Sequence, residues 1–109
     1  MSSDRLYLQH IVDAIESIEE YLRGKKLEDL FANKMLLDAV VREIEIVGEA
    51  SNHLSEKFGK EHPELPLTDM RSMRNKLIHE YFTVDPKIVW QTYEEDLPVL
   101  KGKIVSILI

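Results

Sequence analysis

Apolar positions recur along this chain at helical spacing almost throughout. In residues 4–22, Leu8, Ile11, Ile15, Ile18 and Leu22 stand three and four apart, which predicts one buried stripe of an amphipathic helix. Asp13, Glu16, Glu19 and Glu20 form its wet side, and Gly24 is suited to the C-terminal cap. Residues 25–33 form a charged connector whose Leu27, Leu30 and Phe31 fit a single helical turn. Asn33 is positioned to cap a second helix, expected to run to Phe58 with Gly59 ending it. Its stripe is Leu37, Val40, Ile44, Val47, Ser51, Leu54 and Phe58, and Leu36, Val41 and Ile46 widen the apolar arc. Gly48 sits inside it and predicts a close helix contact, because glycine at mid-helix costs about 1 kcal/mol relative to alanine.

Residues 60–67, with Pro63 and Pro66, read as the main loop. A third helix is expected over 67–82, carrying Met70, Met73, Leu77, Ile78, Tyr81 and Phe82. Asp85-Pro86 has the form of an N-cap followed by proline in the first turn of a fourth helix. That helix carries Val89, Trp90, Tyr93, Leu97, Leu100 and Ile104, and Pro98 is expected to kink it. Short connections between such helices imply an all-α, up-and-down four-helix bundle with a short connecting helical turn, spanning residues 1–109 as one domain.

Composition narrows the chemistry. The chain has no cysteine, so disulfides, thiolate metal sites and cysteine nucleophiles are excluded. No apolar run approaches the roughly 20 residues of a membrane span. Met1-Ser2-Ser3-Asp4-Arg5 lacks the basic and apolar regions of a signal peptide, so a cytoplasmic protein is expected. The net charge of −6 argues against indiscriminate adhesion to nucleic acid. Yet Arg71, Arg74 and Lys76 fall in one stretch, 71–79, that holds no acid. The four histidines show no spacing suited to a zinc site, and neither a phosphate-binding glycine loop nor a serine elbow is present. No cofactor is expected.

The basic stretch also holds His79. On a continuous helix Arg74 and Tyr81 would lie about 20° apart, Asn75 and His79 about 40°, and Arg74 and His79 about 140°. Arginine forks onto phosphate, and histidine exchanges a proton near neutral pH. Without a metal the two suit RNA cleavage in which the 2′-OH attacks its own phosphodiester: His79 moves a proton and Arg74 offsets the growing negative charge. One histidine serves poorly as both acid and base, which favours a homodimer with two composite sets. The wide apolar arc of the second helix and the small surface at Gly48 favour a partner chain as well.

Arg74-Asn75-x3-His79-x-Tyr81 resembles the R-x4-H-x-Y motif of the HepT-like proteins, within the HEPN (higher eukaryotes and prokaryotes nucleotide-binding) superfamily. Val47-Gly48-Glu49-Ala50, Arg74 to Phe82, and Ile88-Val89-Trp90 with Leu97-Pro98 share that look in the expected order. The resemblance implies a homodimeric helical toxin of a prokaryotic toxin–antitoxin pair, acting as a metal-independent ribonuclease on RNA. Arg74 and His79 would then be catalytic and Asn75 supporting. The implied partner is an MNT-type nucleotidyltransferase antitoxin that transfers AMP from ATP to Tyr81. The alternative is a non-catalytic interaction or nucleotide-binding protein whose motif face docks with that nucleotidyltransferase.

Overall fold

A computed structural model describes residues 3–77 and 83–109. Its two long helices are α1 (Ser3–Leu22) and α3 (Lys34–Asn52), joined through the short α2 (Leu27–Ala32). The α1 stripe is buried at all five positions, and α3 buries Val40, Ile44, Val47 and Ser51. Each fully buried Leu or Ile contributes about 1.5–3 kcal/mol of apolar transfer. Helices α1 and α3 are antiparallel. At one end of the pair, Asp4 accepts from the Ser55 backbone N–H and hydroxyl, both at 2.7 Å.

The caps follow from the residues at the joints. Gly24 has φ +74°, the left-handed conformation that glycine adopts without steric cost, and ends α1. The Asn33 side chain accepts from Leu36 N–H and opens α3. The helix that follows the connector ends sooner than its apolar stripe suggested. It stops at Asn52 with His53 as C-cap, and Leu54 and Ser55 form a break. Ser55 then accepts from Phe58 N–H and starts α4 (Glu56–Glu61). Gly59 therefore lies inside a helix and does not terminate one. The stripe persisted because Leu54 and Phe58 are buried on either side of the break.

The expected third helix is divided in the same way. Helix α5 (Leu67–Arg71) and helix α6 (Met73–Lys76) flank Ser72. The Ser72 hydroxyl donates back to the Thr68 carbonyl at 3.0 Å, a local bond that competes with regular helix. Asn75 and Leu77 N–H donate to Ser72 and Arg74 carbonyls, the tighter three-residue pattern. Met70, Met73 and Leu77 are buried as the spacing required. The remainder of that helix, with Ile78, His79, Tyr81 and Phe82, lies outside the described residues.

Asp85 caps α7 (Pro86–Gln91) by accepting from Lys87 N–H. Residues Thr92–Asp96 form a π-helical turn before α8 (Leu97–Leu108). Where a kink at Pro98 was expected, the chain makes this wider turn and places Pro98 in the first turn of α8. Proline has no N–H and crowds the carbonyl four residues back, and the wider turn ahead of it absorbs both. Helix α8 runs antiparallel to α1: Arg5 donates to the Leu108 carbonyl, and Lys101 pairs with Glu16 and Glu19. Among the described residues the only non-helical ladder element is a single bridge residue, Val84. The architecture is an all-α helical bundle.

Candidate functional site

Arg74 and Asn75 reach the surface because the turn at Ser72 re-aims the chain. Met70 and Met73 point into the core on either side of it, leaving Arg71, Arg74 and Asn75 outside. These three face the polar side of α3. Arg42, Glu45, Glu49 and Asn52 recur there at spacings of three, four and three, and fall within an arc of about 80°. Together with Gly48 the two sides enclose an open groove of about 410 Å³.

Gly48 sets how close the walls come. A β-carbon there would stand 3.4 Å from the Arg71 carbonyl oxygen and 3.5 Å from that of Met70. The close contact expected of Gly48 is thus made inside the chain, between α3 and α5. The apolar arc of α3 is likewise largely used within the chain, since Leu36, Leu37, Val41 and Ile46 are partly buried against the core.

Two interactions fix the cations. Arg74 donates through Nε to Glu45 Oε2, and both side chains remain partly exposed, Arg74 at 48%. A side-on bond of this kind occupies Nε and leaves the outer guanidinium nitrogens free to fork onto an anion. Arg71 donates through Nε to the Ser51 carbonyl at 3.3 Å. That carbonyl is one of the last of α3, where the helix dipole favours a cation. Lys76, the third cation of the basic stretch, turns away and pairs with Asp69 at 3.1 Å. The groove therefore gathers three arginines and two glutamates, with Asn52 and Asn75 as neutral hydrogen-bonding groups.

Arg74 and Asn75 share the groove, and His79 and Tyr81 lie outside the described residues. Arg71 belongs to the basic stretch read from the sequence, whereas Arg42 and Glu45 join the site only through the fold. The signal for Arg42 and Glu45 is the polar face of the second helix, where they recur with Glu49 and Asn52 at helical spacing. Of the remaining histidines, His62 caps α4 and packs on Phe58, His10 meets the edge of Tyr7, and His53 stacks on Tyr7 beside Glu49. Among the described residues no group of three or more His, Asp or Glu side chains is arranged to hold a metal ion.

Comparison with known proteins places the chain in a family. The family model described as "Ribonuclease HepT-like" matches residues 11–107. The "Probable ribonuclease HepT" of Thermococcus cleftensis is 48% identical over 101 residues, covering 93% of this chain and 92% of that protein. A "Putative RNase" of Caldanaerobacter subterraneus is 38% identical over 108 residues, covering 99% and 96%. A Methanocaldococcus jannaschii protein named "Gamma-glutamylcyclotransferase and putative RNase" is 41% identical over 104 residues. The match covers 95% of this chain but 47% of that longer protein. No solved structure matches. With a family model over most of its length and relatives matched nearly end to end, the chain belongs to the HepT-like ribonuclease family.

Proposed function

We propose that this protein is the toxin of a toxin–antitoxin pair and cleaves RNA with Arg74 and His79, Asn75 supporting them. The observation that carries the reading is the exposed guanidinium of Arg74, held side-on by Glu45 at the mouth of an arginine-lined groove. In the proposed reaction a ribose 2′-oxygen attacks the adjacent phosphorus, and its proton passes to an imidazole. The new P–O2′ bond forms as the P–O5′ bond breaks, and the leaving 5′-oxygen takes a proton from a second imidazole. Arg74 neutralises the charge gathered on the phosphoryl oxygens between those steps.

Each chain supplies one motif histidine, so acid and base together call for a homodimer. Neutralisation is assigned to an MNT-type nucleotidyltransferase antitoxin. The Tyr81 phenol attacks the α-phosphorus of ATP, pyrophosphate leaves, and the phenolic proton is released. An AMP group near Arg74 would compete with RNA phosphate by both volume and charge.

Labelled RNA incubated with the protein in EDTA tests the reading. Cleavage by the native protein that is lost in His79→Ala supports it. Intact RNA, with tight binding to the nucleotidyltransferase, would make the motif face a docking surface without catalysis. For the regulatory half, incubation with that partner, ATP and magnesium should add mass in steps of one AMP unit. Tyr81→Phe should abolish the addition, and a label on another tyrosine would refute the assignment.

A further inference from the structure

A stacked pair of rings adjoins the groove through Glu49, and the cleavage chemistry makes no use of it. Tyr7, from α1, and His53, at the C-terminus of α3, lie face to face with centroids 4.7 Å apart and planes 12° from parallel. His10 meets Tyr7 nearly at right angles, with centroids 5.9 Å apart. Tyr7 is partly buried against the core, whereas the His53 side chain is 50% exposed. One face of the imidazole thus covers Tyr7, which leaves the other face clear of that ring, and half of the side chain is exposed. The pair is continuous with the groove: His53 Nε2 is 3.5 Å from a carboxylate oxygen of Glu49, and Glu49 and Asn52 line the wall shared with Arg42, Arg71 and Arg74.

Cations in a groove that adjoins an open ring match the needs of a single-stranded nucleic acid. Phosphates are met by arginines, and a splayed base is met by a π-face that tolerates any sequence. We propose that the open face of His53, backed by Tyr7, is a nucleobase-stacking subsite for single-stranded RNA whose phosphates follow the arginine groove. The proposal rests on the ribonuclease reading and adds where one unpaired base binds relative to the arginines. Tyr7 is a positioning residue here, because its ring sets the plane that His53 offers. The Glu49 carboxylate, 3.5 Å from Nε2, meets the His53 ring at its nitrogen edge. A ring face reads stacking area and not base edges, so purines should bind better than pyrimidines, with little difference between adenine and guanine.

The test compares binding of a fluorescein-labelled oligoadenylate with that of an abasic ribose-phosphate chain of equal length, in EDTA and in native and His53→Ala proteins. The native protein should bind the base-bearing chain about tenfold more tightly, and His53→Ala should remove that preference while leaving abasic binding unchanged. His53→Phe should restore it. Equal affinity of the native protein for both chains, or a preference that survives in His53→Ala, would overturn the subsite while leaving RNA cleavage by Arg74 and His79 untouched. A lowered melting temperature of His53→Ala with its base preference intact would reduce the pair to a clamp between α1 and α3, also against the proposal. Failure of the native protein to bind either chain would remove the subsite, and loss of RNA cleavage in the same preparation would mark the parent reading as the cause.

Discussion

Helix α3 takes part in two seams that are built differently. Towards α1 it turns Val40, Ile44 and Val47 into a continuous apolar core, and both helices run unbroken for 19 or 20 residues. Towards α5 and α6 it offers Gly48 and a polar row, and its neighbours are pieces of five and four residues. The first seam is strong because many side chains interlock over a long contact. The second is close because one residue has no side chain, and its outer edge is lined by charges that the core does not need. Stability is concentrated in the first seam, and the proposed chemistry is assigned to the second.

The largest expected effect belongs to the polar seam. Arg74→Ala should lower RNA cleavage by about 100- to 1000-fold without changing the helical circular dichroism, since the side chain is half exposed. Arg74→Lys should also be poor, because it keeps the charge and loses the fork. Retained cleavage in both variants would separate the groove from the chemistry.

Next comes the apolar seam. Ile44→Ala, at a fully buried position, should cost about 2–5 kcal/mol of unfolding free energy in a urea titration. The remaining folded protein should still cleave RNA. Gly48 connects the two seams and sharpens the contrast. A leucine there would meet the Met70 and Arg71 carbonyls, so Gly48→Leu should cost about 1–3 kcal/mol and also lose cleavage as α5 and α6 are pushed from α3. Gly48→Ala meets those oxygens at ordinary contact distance, and better helix propensity should leave it near neutral in the same titration.

The smallest effect concerns Lys101, which ties α8 to α1. Its hydrogen bond to Glu19 raises the ammonium pKa above the ordinary lysine value, the Glu19 and Glu16 charges adding to this while partial burial opposes it. A raised pKa stabilises the fold below the unfolded-state value, and that contribution disappears as pH rises through the folded-state value. Lys101→Met should therefore cost about 0.2–1 kcal/mol at neutral pH, and the gap to the native protein should close in strongly alkaline solution. A gap independent of pH would assign the effect to lost packing.

What the sequence made legible follows the same division. The stripes of α1 and α3, the caps at Gly24, Asn33 and Asp85, and the packing use of Gly48 are local patterns, and the fold realises them. Both helix breaks were hidden because burial continues across them. Leu54 and Phe58 keep the apolar period on either side of Ser55, and Met70 and Met73 keep it around Ser72. Periodicity reports which side faces the core and is blind to a turn that preserves that side. The π-helical turn was equally silent, although Pro98 announced some departure from regular helix. Of the candidate site, Arg74 and Asn75 were readable from the motif. The Glu45 partner was not, because it lies 29 residues away and is joined only by the α3–α6 packing.

The central claim is that the groove arginine serves a cleavage driven by the RNA's own 2′-hydroxyl. Its most direct measurement is the product ends formed in EDTA from a labelled RNA and from the same RNA with a single 2′-deoxy nucleotide at the mapped cleavage position. The first RNA should yield a 2′,3′-cyclic phosphate and a 5′-hydroxyl, and the second should show no cut at that position. Cleavage at the deoxy position, or a product bearing a 3′-hydroxyl, would contradict the claim.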